Sequence, residues 1–97
     1  MKVEWDEVKS VTNRRKHGIS FEEAAELFAR GQDFLEIFDE AHSEFEERFI
    51  AIGPIRRGLV LVVWTAREDG DILRIISARW AAEREQFLYH SFLDKNR

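Results

Sequence analysis

The sequence contains no cysteine. That excludes a disulfide framework, a thiolate nucleophile and a cysteine-based zinc site. Glycine is scarce and dispersed, so there is no Gly-rich phosphate loop, and no G-x-S-x-G elbow is present. No apolar run approaches the ~20 residues a membrane helix needs. The opening Met1-Lys2-Val3-Glu4-Trp5-Asp6 carries charges where a signal peptide has its apolar region. The expectation is a cytoplasmic protein without a membrane partner. His17, His42 and His90 are scattered, and none has a second ligand at H-E-x-x-H spacing. Neither a metal nor a cofactor is expected.

What is present suffices for one modest core. The 97 residues are 44% hydrophobic, with eight Phe and three Trp, which fits a single domain over residues 1–97. Charged residues reach 35%, but both signs alternate with apolar runs, which argues against disorder.

The net charge of −4 hides an asymmetry. Residues 1–19 carry five basic and three acidic side chains. Residues 20–47 carry ten acidic ones against Arg30 alone. Residues 48–97 carry nine basic and six acidic. Basic ends can face phosphates, and an acidic middle can face a basic partner or act as a solvated surface.

Local signals give the order β-α-α-β-β-β-β-α. Val3 to Trp5 read as a short strand and Asp6 as a helix N-cap. The helix over 7–17 ends in Arg14-Arg15-Lys16-His17 followed by Gly18, cations in the last turn and glycine beyond. Ser20 and Glu23 form a capping box for a second helix that ends at Gly31. Residues 34–38 read as a strand of open register. Arg48 to Ile52 is a strand, with Gly53-Pro54 at its end. Leu59 to Thr65 is a continuous β-branched and aromatic run, a central strand buried on both faces. Asp69-Gly70 marks a hairpin turn before the strand Ile72 to Ala78. A last helix spans about 80–93, with Trp80, Phe87, Leu88 and Phe92 inward. The fold class is α+β, with a mainly antiparallel sheet of four to five strands. Short connections predict a meander whose three helices cover mainly one face, leaving the other free.

The chemistry-bearing candidates are arginines on strands. Arg74 lies mid-strand, Arg79 ends that strand and Arg67 ends its neighbour. A planar fork of donors suits a phosphate and the charge that builds on it. The alternative is an internal ion pair, for Arg74 with an acid on strand 48–52 or on the final helix. Ideal alternation places Arg74 and Arg79 on opposite faces. At the corner Lys16-His17-Gly18, histidine can move protons and lysine supplies a point charge. The same cations equally complement a helix C-terminus. Trp80 can stack on a base or belong to the core.

Several segments together resemble the BrnT toxin family. They are Asn13 with Lys16-His17-Gly18, Phe21 with Glu22-Glu23-Ala24, Glu47-Arg48-Phe49-Ile50-Ala51-Ile52-Gly53, Leu61-Val62-Val63 before Thr65, and Arg74-Ile75-Ile76-Ser77-Ala78-Arg79. The resemblance implies a RelE-like fold and a toxin of a type II toxin–antitoxin system, a ribonuclease that stops translation. It implies an RNA substrate and a BrnA-like ribbon-helix-helix antitoxin, through which alone the complex meets operator DNA and represses its own operon. By motif position, Arg79, Arg74, Arg67, Lys16 and His17 are the catalytic candidates. Arg14, Arg15 and Trp80 are the RNA-binding ones.

Two departures stand out. The family often reads Y-T-E-R where this chain has Trp64-Thr65-Ala66-Arg67, so a glutamate is missing at Ala66. The family often has A-T-x-x-E where this chain has Ala81-Ala82-Glu83-Arg84-Glu85. The last helix thus lacks a hydroxyl cap, typically worth ~1 kcal/mol. Metal-independent cleavage by the RNA's own 2′-hydroxyl needs positioning and charge stabilisation, which arginines and a lysine can supply. The rival reading is a catalytically weak or inactive partner-binding module acting with a DNA-binding antitoxin.

Overall fold

The computed structural model describes residues 2–31 and 33–96. Gln32, in the stretch whose course the sequence leaves open, lies outside them. The elements run β1 (Lys2–Glu4), α1 (Glu7–His17), α2 (Phe21–Ala24), α3 (Glu26–Ala29), β2 (Leu35–Phe38), β3 (Arg48–Ile55), β4 (Gly58–Arg67), β5 (Ile72–Trp80) and α4 (Glu83–Lys95). The class is α+β, as expected. One sheet has the strand order β1-β5-β4-β3-β2. The meander β2 to β5 is antiparallel. β1 pairs parallel with β5, so the sheet is mixed.

The caps form where the sequence places them. Asp6 accepts from the Lys9 N–H at 3.2 Å, and Gly18 ends α1 at φ 79°. Ser20 accepts from the Glu23 N–H at 3.0 Å, but the capping box expected here closes by that half alone, because the Glu23 carboxylate is taken by Arg57. The second helix, expected to run unbroken to Gly31, is instead two four-residue pieces. The break falls at Ala25, whose carbonyl takes the Phe28 N–H three residues on, a tightened turn. Phe28 then packs edge-on against Phe34 and Trp64.

Alternation divides the sheet into two apolar faces. On one, Ile19, Phe21, Ala24 and Leu27 from the N-terminal half pack on Ala51, Val60, Val62, Trp64, Leu73 and Ile75. On the other, Ile52 and Leu61 meet Ala81 and Tyr89, with Leu35, Ile37, Phe92 and Leu93 around them. All three helical regions were expected on one face, and this is corrected: α4 packs on the opposite face. The reason lies in β5, which continues through Trp80. Even beyond it, the Ala81 N–H bonds the Leu59 carbonyl at 2.9 Å. The helix starts late, and its inward stripe rotates. Phe87 and Leu88, expected inside, are 69% and 37% exposed, and Tyr89 is buried in their place. Trp80 keeps strand alternation and sits opposite Val60, on the face away from α4.

β3 extends through Gly53-Pro54 rather than stopping before them. A Cβ on Gly53 would lie 2.7 Å from Leu27 Cδ1 and 2.8 Å from Phe34 Cβ. Glycine there lets two core side chains close on the backbone. β4 is buried on both faces, as its composition predicts.

β1 covers only residues 72–74 of β5. Further along, Asn13 of α1 bonds the backbone of β5 as a strand neighbour would. Its Nδ2 donates to the carbonyls of Ala78 and Ile19, both at 2.8 Å. Its Oδ1 accepts the Ala78 N–H at 3.3 Å. Among the described residues, no helix is long and apolar enough to cross a membrane.

Candidate functional site

A bulge organises the site. Val63 pairs with Ser77, but Trp64 pairs with Ile75, so β5 carries an extra residue there. The extra residue shifts the alternation of β5 by one. Arg79 therefore lies opposite Leu61, and Arg74 opposite Thr65. The expectation from ideal alternation is corrected, since both arginines share the face that bears α4. Across that face the register aligns Arg48, Thr65, Arg74 and Glu4 on β3, β4, β5 and β1. Arg67 follows Thr65 by two residues on the same side of β4.

Each arginine faces an acid. Arg74 Nη1 donates to Glu4 Oε2 at 2.6 Å. Its partner is on β1, not on β3 or α4 as the ion-pair alternative held. Arg79 forks onto Glu85, with Nη1 to Oε1 and Nη2 to Oε2 both at 2.8 Å. That hydrogen-bonded fork holds the Glu85 carboxyl below its ordinary range, against the opposing effect of burial. Arg67 and Arg48 are held more loosely. Each approaches Glu46 at 3.8 Å, beyond hydrogen-bonding distance. Arg48 Nε is buried without a partner among the described residues. Between Arg48 and Arg74, Thr65 is buried and donates its hydroxyl to the Glu47 carbonyl at 2.7 Å.

The expected cluster is thus brought together only in part. Arg67, Arg74 and the unforeseen Arg48 share one end of the face. Arg79 lies four β4 residues away, about 13 Å at ~3.3 Å per residue. Lys16 is exposed and His17 half-buried at the end of α1. Among the described residues, no hydrogen bond or ion pair joins either to the arginines' acids. Arg14 and Arg15 are exposed on the same helix. Next to them, Arg57 donates to the Gly18 carbonyl at 2.8 Å and to Glu23 Oε1 at 2.7 Å. Its hydrogen bonds hold the Glu23 carboxyl low. Arg57 also lies 5.1 Å from the Trp80 ring centroid, occupying a face of the indole.

Arg48 was readable in principle, because strand pairing sets it opposite Thr65. Arg57 was not, because Glu23 is 34 residues away in sequence. The two departures also gain a location. Ala66 pairs with Leu73, on the face opposite the arginines. A glutamate there would not join them, whereas Glu46 already does. At the start of α4, the Ala82 N–H bonds Glu85 Oε1 at 2.7 Å. That is one half of a capping box, and the Arg79 fork fixes its acceptor. Among the described residues, no three of His, Asp and Glu gather as a metal site.

No curated protein is significantly similar to the chain. Residues 5–85 match the family described as "Ribonuclease toxin, BrnT, of type II toxin-antitoxin system". That match spans most of the chain and contains every arginine of the row. The chain belongs to the BrnT family of ribonuclease toxins of type II toxin–antitoxin systems.

Proposed function

We propose that this toxin cleaves RNA on the open end of the α4-bearing face, in the cytoplasm, and so inhibits translation. The single observation that carries this is the register row Arg48–Thr65–Arg74 with Arg67 beside it. Among the described residues, Arg48 and Arg67 have no hydrogen-bonded acid, only the carboxylate of Glu46 at 3.8 Å. A phosphodiester offers them the bidentate acceptor that Glu46 does not. The RNA 2′-hydroxyl attacks the adjacent phosphorus and the 5′-oxygen leaves. The guanidiniums stabilise the charge on the phosphorane. Arg74, already held by Glu4, adds its remaining donors. Glu46 is the carboxylate within reach of the attacking hydroxyl's proton. Arg79 lies too far along the face to share that phosphate. It meets a neighbouring phosphate and positions α4, while Lys16, His17, Arg14 and Arg15 extend the path at the end of α1; Trp80, on the other face with Arg57 over its ring, stands apart from it.

The partner is an antitoxin, here of the ribbon-helix-helix type, which carries the complex to operator DNA. Cleavage of a defined RNA in chelator tests the site: Arg67→Ala should slow it about 10²-fold, as loss of a transition-state donor does. Cleavage at the wild-type rate would remove Arg67. A second reading is favoured by the pairs Arg74–Glu4 and Arg79–Glu85, which neutralise two of the expected cations. In it the chain has lost cleavage and serves as a partner for a DNA-binding repressor. Expression without antitoxin separates the two, because growth arrest supports the nuclease and unimpeded growth the module.

A further inference from the structure

The face opposite the arginines holds an apolar cavity of about 210 Å³. Its walls are Val3, Phe28, Phe34, Trp64 and Leu73, with Glu36 at the side. Two features set it apart from a packing defect. First, Trp64 is 93% buried, and among the described residues its Nε1 has no acceptor. A buried N–H without a partner is costly, roughly 1–3 kcal/mol, so the wall is built on an indole whose donor is unsatisfied. Second, Glu36 is the cavity's one titratable wall residue, exposed and in no ion pair among the described residues. It belongs to residues 33–47, which hold seven acidic side chains and no lysine or arginine.

The surroundings are also unfinished. Phe38 is 46% exposed and packs edge-on against Phe49, which stacks on Trp64 at 4.6 Å. Among the described residues, β2 is an edge strand, hydrogen-bonded to β3 alone. It lacks the lysine or proline that usually guards such an edge.

We propose that this cavity receives one apolar side chain from a basic segment of the antitoxin. An apolar cavity of about 150 Å³ accepts a benzene ring, so this one has room for a leucyl or phenyl anchor. The Trp64 ring lines the anchor's site, so its indole reports occupancy. Lysines or arginines flanking the anchor meet Glu36 and the acids of residues 33–44, leaving Glu46 to the arginine row. Such an anchor in a desolvated pocket, ringed by charge, has the usual make-up of a binding hot spot. The site lies behind the sheet from Arg48, Arg67 and Arg74, so the antitoxin holds the toxin by a surface separate from the cleavage site. This inference rests on the toxin–antitoxin reading.

The test uses the full chain, ¹⁵N-labelled at its tryptophan indoles, titrated with the full-length co-encoded antitoxin. The indole resonance assigned by Trp64→Phe should shift on complex formation. Glu36→Arg, an exposed change, should weaken the complex at least tenfold while leaving RNA cleavage by the free toxin intact. An unmoved Trp64 resonance with full affinity in Glu36→Arg would overturn the proposal. So would a loss of affinity in Phe87→Ala alone, which would place the antitoxin on α4. If the wild-type chain forms no complex at all, the pairing itself fails. Cleavage by the free chain, read separately, still decides the nuclease reading.

Discussion

Arg79 and Glu85 form a two-pronged pair, with both contacts at 2.8 Å, and Glu85 in turn accepts the first free N–H of α4 from Ala82. The guanidinium thereby holds the remaining half of the capping box in place. Arg79→Ala should lower stability by about 1 kcal/mol, a figure already reduced for solvent screening because the side chain is 42% exposed. Arg79→Lys should recover only part of this, since an ammonium cannot fork. Urea unfolding followed by circular dichroism measures both. An unchanged midpoint in Arg79→Ala would mean that α4 starts without this support.

Acid should weaken the fold through the same pair. Glu85 and Glu23 both have their carboxyls held below the ordinary value of 4.5, chiefly by hydrogen bonds from Arg79 and Arg57. A depressed carboxylate contributes stability that is complete above its unfolded value and is lost as pH falls through the folded one. Stability should therefore be flat toward neutrality and fall below about pH 4.5. Glu85→Gln should flatten that acid limb. Unfolding midpoints measured from pH 7 down to 3 check the sign.

Asn13 is the most exacting polar residue of the scaffold. Replacing it with alanine strands the Ala78 N–H and two carbonyls, a loss of about 2–4 kcal/mol. Asn13→Asp should be no milder, because it sets a carboxylate against the carbonyls of Ile19 and Ala78. Thermal unfolding of both variants tests this, and a mild Asn13→Asp would show that the amide donor is dispensable.

RNA affinity should depend on salt through the guanidiniums of the row. Three phosphate contacts by Arg48, Arg67 and Arg74 give a slope of log K against log salt near −2, at ~0.7 per contact on single strands. Removing Arg67 should make the slope shallower by about 0.7. A slope that stays the same would place the RNA elsewhere.

Local chemistry made much of this fold legible. Asp6, Gly18 and Ser20 cap what they are expected to cap, and the run from Leu59 to Thr65 declares a central strand. Where the reading failed, a single residue of register was decisive. One bulge between Ser77 and Ile75 moves Arg74 and Arg79 onto one face, and nothing in Ile75-Ile76-Ser77 announces it. The continuation of β5 to Trp80 rotates α4, exchanging Phe87 and Leu88 for Tyr89. The acids that meet the arginines come from β1, the loop before β3, and α4. Such long-range pairings are fixed by packing and leave no local pattern.

The most direct test is cleavage of one defined RNA by the purified toxin in chelator, comparing Arg67→Ala with Arg56→Ala. Both side chains are exposed arginines, but Arg56 sits in the β3–β4 turn, away from the row. The expected result is a loss of about 10²-fold for Arg67→Ala and a near-wild-type rate for Arg56→Ala. Equal rates for the two variants, or no cleavage by the wild type, would contradict a phosphate-gripping site at Arg48, Arg67 and Arg74.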